Sequence, residues 1–370
     1  MAALTHDVPR QQVTDAIGLL MHNLVNIKDE TGEFLLHLED GRIIDTKGWA
    51  GWEWTHGVGL FGMWRYYEQT GDQKALSIIK QWFEDRFAEG TPTKNINTVA
   101  PFITLAYLYE HEPDPRYIPY LDTWAEWLMA DDGLPKTEEG GFQHIVYNDE
   151  NPGEMWDDTL MMSVLPLAKI GLLLGRPHYI EEAKRQFLVH IKYLFDKKTG
   201  LWFHGWDFNG RHNFAEALWA RGNCWVTIAI PEIIEILDLQ PGDAFRTFLI
   251  DTLAAQVKTL SQTQDESGLW HTLVMDPSSY LEASATAGFA YGILKAVRKG
   301  YLPREYEAVG IKAVRGVLAN IDDKGELQQV SFGTAMGDTL QFYKDIRLTS
   351  MPYGQSLAVC ALAEFLRTYI

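Results

Sequence analysis

The amino-acid sequence predicts an all-α fold, a closed ring of six helical hairpins, on the basis of three observations. Apolar helical stretches alternate with amphipathic ones, β-type alternation is sparse, and similar short turns recur about every sixty residues. Six hairpins of that length fit between residues 11 and 370. An open solenoid of the same repeats is the structural rival, although neither end of the sequence shows the polar capping repeat that a solenoid requires.

The repeat period rests on two independent sets of positions. Aromatic residues follow the turns between helices at Tyr117, Tyr179, Phe245 and Tyr306. Prolines lie inside apolar helical stretches, 65 residues apart, at Pro101, Pro166 and Pro231. One repeat comprises a helix that is apolar on every side, residues 159–174, and an amphipathic helix, residues 179–195. Because a helix without a polar face must be buried, we expect the first helix of each hairpin inside the ring and the second outside.

Composition limits the classes of partner. The 370 residues carry 32 basic and 50 acidic side chains, a net charge of −18, without a run of five lysines or arginines. This excludes nucleic acid and anionic membranes as partners. Two cysteines, Cys224 and Cys360, suit a reducing compartment, and neither a signal peptide nor a membrane-spanning stretch is visible. We therefore expect a cytoplasmic monomer or homodimer, one domain over residues 1–370, that binds its ligand in a pocket.

Tryptophans are concentrated in the loops that precede the predicted inner helices. Nine of the thirteen lie in or beside these loops, among them Trp54, Trp156, Trp206 and Trp225. Any one of them alone is explained by core packing. Together with nearby Asp, His, Asn and Arg side chains, they favour a carbohydrate-binding cleft, because indole stacks on the C–H faces of sugars while hydroxyl groups need polar partners.

Gly57, Gly59 and Gly62 have the spacing of the dinucleotide-binding fingerprint. That fingerprint requires a preceding buried strand and a β-α-β context, whereas residues 48–56 form a polar, tryptophan-rich segment. We interpret the glycines as positions where two inner helices approach closely. Motifs of phosphate-binding loops, zinc proteases, serine hydrolases and redox dithiols are absent from the sequence.

Asp157 and Asp158 begin a predicted inner helix, where the helix dipole tolerates negative charge. Adjacent helical residues point about 100° apart, so only one carboxyl group can face the cavity, and the periodicity does not choose between them. The other is expected to cap the helix. A carboxyl group beside indole rings is expected to have its pKa raised by desolvation, as a general acid requires.

Arg221 interrupts an apolar stretch at the expected inner wall. A desolvated guanidinium group requires an anion. Both a protein carboxylate, such as Asp207, and a carboxylate of the substrate fit that requirement.

The chain resembles the unsaturated rhamnogalacturonyl hydrolases of glycoside hydrolase family 105 and the related unsaturated glucuronyl hydrolases. The resemblance extends nearly end to end and is carried by residues 52–57 (Trp-Glu-Trp-Thr-His-Gly), 140–144 (Gly-Gly-Phe-Gln-His), 155–160 (Met-Trp-Asp-Asp-Thr-Leu), 203–207 (Phe-His-Gly-Trp-Asp) and 219–222 (Trp-Ala-Arg-Gly). It implies an (α/α)6 barrel, the architecture that the repeats also predict from different residues.

The resemblance also implies roles for individual residues. It makes Asp158 the general acid/base. The residues that it and the aromatic pattern predict to bind substrate are Trp54, His56, Asn97, His144, Trp156, His204, Trp206, Arg221 and Trp225. Many family members carry a second pocket aspartate at the position of Asn97, so the sequence disfavours a mechanism that needs a second charged carboxylate.

The implied substrate is a lyase-generated oligosaccharide that ends in a uronic acid with a C4=C5 double bond. Protonation at C4 and addition of water at C5 give a hemiketal that opens and breaks the linkage, chemistry for which one carboxyl group suffices. No metal or organic cofactor is implied. Unsaturated galacturonyl-rhamnose from pectin is the first expectation, and a glucuronyl substrate is the second.

Two other functions remain open from the sequence. A sugar epimerase of the N-acylglucosamine or cellobiose type shares the barrel but uses paired histidines, for which His204 and His271 are candidates. A sugar-binding protein without catalytic activity would need the tryptophan cleft and no titrating aspartate.

Overall fold

The computed structural model describes residues 7–369, and six of its helices form a closed inner ring. In chain order the helices are α1 (Arg10–Asn26), α2 (Trp54–Thr70), α3 (Gln73–Glu89), α4 (Phe102–His111), α5 (Ile118–Met129), α6 (Leu165–Leu173), α7 (Pro177–Leu194), α8 (Ala220–Ile236), α9 (Ala244–Thr263), α10 (Ala283–Arg298), α11 (Glu307–Ala319), α12 (Leu340–Asp345) and α13 (Pro352–Leu366). Helices α2, α4, α6, α8, α10 and α13 contact one another in that order, and α13 returns to α2. The predicted (α/α)6 barrel is confirmed.

The sixth hairpin joins the two ends of the chain. The inner helix α13 packs against α1, which precedes every other helix in sequence. The other five hairpins are consecutive, as predicted. Closure of the ring therefore depends on a contact between the first and last helices, which explains why no capping repeat is needed at either end.

The prolines of the repeat occupy different helical positions. Pro101 immediately precedes α4, and Pro231 lies inside α8. Pro166 is the second residue of α6 and follows a π-helical turn, Leu160–Val164, so the helix predicted over residues 159–174 is composite. A π-turn is a rare element that often accompanies functional sites, and this one begins two residues after Asp158.

The glycines of the dinucleotide-like motif allow α2 and α13 to pack closely. A Cβ atom on Gly59 would lie 2.9 Å from Ser356 Oγ, and one on Gly62 would lie 2.9 Å from Cys360 Sγ. Both distances are shorter than ordinary van der Waals contacts. The interpretation of these glycines as helix-packing positions is confirmed.

Within residues 7–369, three short antiparallel two-stranded sheets lie in the loops that precede inner helices. They are β1 (Leu35–His37) with β2 (Ile43–Asp45), β3 (Glu154–Trp156) with β4 (Gly205–Asp207), and β5 (Trp270–His271) with β6 (Leu281–Glu282). The β3–β4 pair joins the loop before α6 to the loop before α8 and aligns Trp156 with Gly205. It therefore fixes Asp158 and His204, the residues just beyond the pair, near each other.

Buried charges lie toward the opposite ends of the inner helices. The fully buried carboxylate of Glu232 accepts hydrogen bonds from Arg65, Tyr291 and Lys295, which belong to α2 and α10. These contacts tie three inner helices together. Within residues 7–369, no helix combines the length and the hydropathy that crossing a bilayer requires.

Candidate active site

A cavity of about 480 Å³ lies where the loops that precede the inner helices converge. Of the residues predicted from the sequence, those that line it are Trp54, Asn97, His144, Trp156, Asp158 and Arg221. They come from the loops or first turns of four inner helices. Their convergence places these loops at one rim of the barrel.

The structure shows which of the two adjacent aspartates reaches the cavity. The side chain of Asp158 is 18% exposed and lines the cavity, whereas Asp157 is fully buried. The amide of Asp157 donates to the carbonyl oxygen of His204 at 3.0 Å, which continues the β3–β4 pairing. This bond holds the chain so that the next residue, Asp158, points inward.

His204 contacts the cavity carboxylate from beneath. Its Nε2 lies 3.5 Å from Asp158 Oδ2, and its Nδ1 lies 2.8 Å from the hydroxyl group of Tyr343. The Tyr343 hydroxyl accepts a hydrogen bond from the amide of Gly337 and can form a second one with Nδ1, as donor to a neutral ring or as acceptor from a charged ring. In both cases Nε2 carries a proton that is directed at Asp158.

The pKa of Asp158 differs from the sequence expectation. Burial alone would raise it, but the hydrogen bond and charge of His204 outweigh burial and lower the pKa below its ordinary value. For Asp157, burial and then the charge of Asp158 raise the pKa well above its ordinary value. The raised pKa that we predicted for the general acid therefore belongs to its buried neighbour, because only Asp158 has a stabilising partner.

His144 and Trp156 form a flat wall of the cavity. Their rings stack at 4.2 Å with an interplanar angle of 9°. His144 Nδ1 lies 2.9 Å from Thr159 Oγ1, and burial lowers the pKa of His144 to about 3. His144 is therefore neutral at physiological pH, and this wall offers a stacking surface without positive charge.

Arg221 is 1% exposed and is held by backbone carbonyl and side-chain hydroxyl oxygens. Its guanidinium group donates to the carbonyl oxygens of Ser331 and Phe332, both at 3.0 Å, and to the hydroxyl group of Thr334 at 3.1 Å. The protein carboxylate that pairs with Arg221 is that of Glu282, whose Oε1 lies 3.5 Å from Arg221 Nη1. Arg221 therefore anchors the segment 331–334, which contributes to the cavity wall.

The suggested pairing of Arg221 with Asp207 is wrong. Asp207 instead accepts hydrogen bonds from the amides of Asn209 and Gly210, at 2.8 and 2.9 Å. The reason is local: Asp207 ends β4 at a turn whose free amides lie within reach of its side chain, as is common for aspartate in turns.

Four of the predicted substrate-binding residues are not among those that line the cavity: His204, which contacts Asp158 from beneath, and His56, Trp206 and Trp225. His56 is fully buried and completes the cap of α2: the Glu53 amide donates to its Nδ1 at 3.1 Å, and its Nε2 lies 2.7 Å from the carbonyl oxygen of Gly48. Trp225 packs edge-on against Trp54, with ring centres 5.6 Å apart. Trp206 packs against Tyr193 at 5.2 Å.

Several cavity residues were not identified as candidates from the sequence. Glu53 is buried beside Trp54, and burial raises its pKa to about 8. The spacing of Glu53 and His56 is that of a capping pair, so the motif 52–57 contained a usable signal. Met336 and Asp338 also line the cavity, but they lie in an irregular segment without periodicity, and no signal identified them.

No sequence motif identifies Tyr343, whose hydroxyl group forms a hydrogen bond with His204. This contact leads to a testable prediction. We expect Tyr343→Phe to lower kcat roughly ten- to hundredfold, the scale of a slightly misplaced catalytic group, with little change in KM. The physical reason is that the loss of the hydroxyl group frees the His204 ring to change tautomer. Steady-state kinetics check this, and an unchanged kcat would show that the hydroxyl group does not orient His204.

An (α/α)6 barrel whose loops enclose carboxylate, imidazole and stacked indole groups defines a carbohydrate-active enzyme. The family model described as Glycosyl Hydrolase Family 88 matches residues 26–369. The chain therefore belongs to this family of glycoside hydrolases, and the relatives below place it with glycoside hydrolase family 105, as the sequence motifs indicated.

The chain is similar to proteins from several bacteria. It is 32% identical over 322 residues to the unsaturated rhamnogalacturonyl hydrolase YesR of Bacillus subtilis, covering 86% of this chain and 90% of that protein. It is 62% identical to a possible member of family 105 from Salmonella enterica serovar Paratyphi A, with a TM-score of 0.97 and coverage of 99% and 96%. Unsaturated glucuronyl hydrolase from Bacillus sp. GL1, at 18% identity, a TM-score of 0.71 and coverage of 96% of both chains, shares the fold.

Proposed function

We propose that this glycoside hydrolase removes a terminal 4,5-unsaturated uronic acid from lyase-generated oligosaccharides. Its preferred substrate in this proposal is unsaturated galacturonyl-rhamnose, and an unsaturated glucuronyl sugar is the alternative. The observation that carries the proposal is the Asp158 carboxylate, which opens into an aromatic cavity and is held from beneath by His204. The similarity to YesR, whose name specifies an unsaturated rhamnogalacturonyl substrate, supports it. We further propose that the enzyme acts in the cytoplasm.

The proposed reaction is hydration of an enol ether. Asp158 transfers a proton to C4, positive charge develops at C5 and the ring oxygen, and a water molecule bonds to C5 while its proton returns to the carboxylate. The hemiketal then opens, and the exposed C1 hemiacetal releases the adjoining sugar. Ordinary glycosidases use two carboxyl groups around the glycosidic bond, whereas this sequence of steps uses one site of proton transfer. A neutral amide at Asn97 is compatible with it.

The wall formed by His144 and Trp156 supports the proposed orientation of the sugar. The two parallel rings, whose centres lie 4.2 Å apart, present an apolar face that can stack on the planar half of an unsaturated sugar ring. Trp54, which also lines the cavity, is held in place by stacking on Tyr353, with ring centres 4.7 Å apart. His56, Trp206 and Trp225 act in this proposal through the residues that they support.

Charge in the cavity favours a substrate with a single carboxylate. Arg221 is the one basic side chain that lines the cavity within residues 7–369, apart from the neutral His144. The acidic side chains that line it are Asp149, Glu154, Asp158 and Asp338, together with Glu53, whose pKa of about 8 leaves it largely uncharged at pH 7. We propose that the uronate lies toward Arg221 and that the adjoining sugar, which faces the acidic remainder, is uncharged.

This charge distribution predicts a preference against sulfated substrates. We expect kcat/KM for an unsulfated unsaturated disaccharide to exceed that for its sulfated counterpart by about tenfold or more, the equivalent of ~1.4 kcal/mol, because like charges repel in a partly buried site. Asp338→Asn should reduce the preference. Equal kcat/KM values for the two substrates would contradict the assignment of an uncharged adjoining sugar.

A panel of lyase-generated disaccharides tests the proposed function. The loss of the ultraviolet absorbance of the C4=C5 bond reports the reaction, and chromatography of the released sugar identifies the preferred linkage. We expect unsaturated galacturonyl-rhamnose to react fastest. Absence of reaction with every unsaturated disaccharide would overturn the proposal.

The geometry does not favour the epimerase alternative. Nδ1 of His271 lies against the carbonyl oxygen of Ser279. His271 does not line the cavity. His204 and His271 therefore do not form a pair of histidines that face one sugar. Membership of a glycoside hydrolase family points the same way.

A further inference from the structure

The proposed reaction gives no role to Asp157, the buried carboxyl group that directly precedes Asp158 in the chain. Asp157 is fully buried, and within residues 7–369 no side-chain N–H group donates a hydrogen bond to either of its carboxylate oxygens, which only the backbone amides of Asp157 and Asp158 approach. Leaving a carboxylate with so few donors in such a place costs on the order of several kcal/mol, the scale for buried ions. A neutral carboxylic acid avoids this cost.

The surroundings of Asp157 contain a specific space for this side chain. A Cβ atom on Gly222, at the start of α8, would lie 2.5 Å from Asp157 Oδ2 and 2.8 Å from Oδ1. The carboxyl group therefore fills the room that the glycine leaves. The absence of a side chain at position 222 is a requirement for Asp157 to lie as it does.

The titratable groups that face Asp157 include no permanent cation. They are Asp158, His204, Cys224 and Tyr343. Donor atoms of Asp157, Asp158 and His204 all lie within 4.8 Å of one another. His204 and Tyr343 are already engaged with each other, so the one group that can receive a proton from Asp157 is Asp158.

We propose that Asp157 is a positioning residue that shares a single proton with Asp158, so that the two carboxyl groups act as one acid. This inference rests on the proposed function. It explains how Asp158 delivers a proton at neutral pH although His204 stabilises the carboxylate form of Asp158. Two carboxyl groups that share one proton are a known way to hold an acid ready for transfer.

The proton balance of the step is complete. Before reaction the pair holds one proton, as Asp157–OH and Asp158 carboxylate. The proton moves to Asp158 and then to C4 of the substrate, so one O–H bond breaks and one C–H bond forms. When water bonds to C5, its proton returns to the pair, and the starting state is restored.

The direction of the pKa shifts is consistent with this assignment. Burial and the neighbouring charge raise the pKa of Asp157, whereas His204 outweighs burial and lowers the pKa of Asp158. The pair therefore keeps its proton to a higher pH than a lone aspartate would and loses it as the pH rises further. Without Asp157, the proton would have to reside on Asp158 alone, whose lowered pKa releases it at acidic pH.

The pH profile of Asp157→Asn tests the proposal. Asparagine keeps the shape and can donate an N–H group to Asp158, but it supplies no proton. We expect the high-pH limb of kcat/KM to move down by at least about one pH unit and activity at pH 7 to fall about tenfold or more, since one pH unit on a titration limb is a factor of ten. Activity should recover toward the wild-type value as the pH is lowered.

The control variant is Asp251→Asn, which changes an exposed aspartate on the outer helix α9. It should leave the pH profile unchanged. A uniform loss of activity in Asp157→Asn across all pH values would indicate a structural role and overturn the proposal. Loss of wild-type activity on treatment with a chelator would also overturn it, because the same three side chains would then hold a cation.

Infrared spectroscopy of the whole enzyme provides a measurement that needs no substrate. Buried Glu53, whose pKa is raised to about 8, also contributes a protonated carbonyl stretch at pH 7, so the comparison is between the wild type and the variant. We expect the band to lose the intensity of one carboxylic acid in Asp157→Asn. An unchanged band in the variant would overturn the proposal even if the enzyme hydrolyses unsaturated disaccharides. A band that loses this intensity, in an enzyme that cleaves no unsaturated substrate, would support the shared proton and refute the proposed function alone.

Discussion

Asp158→Asn is expected to lower kcat for an unsaturated uronyl disaccharide by roughly 10²- to 10⁴-fold, the contribution typical of a general acid. Asparagine occupies the same volume beside His204 but has no proton to transfer to C4. KM should change little, because the amide still fits the cavity wall. The initial rate of ultraviolet absorbance loss measures the effect.

The matched control for this substitution is again Asp251→Asn. It removes the same charge from an exposed position on α9 and should retain the wild-type rate. Asp251→Asn should show the wild-type thermal transition, and Asp158→Asn should remain folded with a modestly lower transition, because it creates no cavity but loses the charge that His204 stabilises. If Asp158→Asn kept the full rate, Asp158 would not be the acid, and the carboxyl groups next to consider would be Glu53 and Glu154 on the same cavity wall.

Glu232→Ala is expected to have the largest effect on stability, a loss of about 3–5 kcal/mol in the free energy of unfolding. The substitution removes the acceptor that Arg65, Tyr291 and Lys295 share and leaves Arg65 without its buried counterion. Because these residues and Glu232 belong to three inner helices, the substitution weakens the packing of the ring as a whole. Chemical denaturation followed by circular dichroism measures it.

An exposed ion pair provides the control for Glu232. Glu181 is 71% exposed and pairs with Lys184 on the outer helix α7, so Glu181→Ala should cost less than about 1 kcal/mol. Burial opposes the charge of Glu232, but Arg65 and Lys295 outweigh it and lower its pKa. Its contribution should therefore persist above the ordinary glutamate pKa and be lost as the pH falls through the lowered value. Equal losses for the two variants would contradict the role of the buried network.

The ring itself could be predicted because its helices repeat both a length and a hydrophobic character. Pro101, Pro166 and Pro231 marked three inner helices correctly, although each occupies a different helical position. The pairing of α13 with α1 could not be predicted, because nothing local in either helix specifies a partner more than 300 residues away. The π-turn Leu160–Val164 likewise depends on tertiary contacts and has no signature in the sequence.

The candidate site was predictable where short motifs carry its residues. Asp158, His144 and Trp156 all lie within such motifs, and they line one cavity. Motif membership did not distinguish a residue on the surface of the cavity from one behind it, as His56 shows. That distinction depends on which side of a helix cap faces the solvent, a property of the folded chain.

The remaining features of the site come from contacts between distant segments. The residues of 331–338 reach the cavity because Arg221 binds the backbone of that segment, and Tyr343 reaches His204 across 139 positions in sequence. The raised pKa was assigned to the general acid from burial alone. The structure adds the partner, His204, which reverses the shift on Asp158 and leaves the raised pKa on Asp157.

The most direct test of the central claim compares an unsaturated uronyl disaccharide with its saturated counterpart, which has the same linkage and no C4=C5 bond. If Asp158 acts by protonating an enol ether, the wild-type enzyme should cleave the unsaturated disaccharide, with absorbance loss and sugar release in equal amounts, and leave the saturated one intact. Cleavage of both disaccharides at similar rates would show ordinary glycosidic hydrolysis and contradict the account.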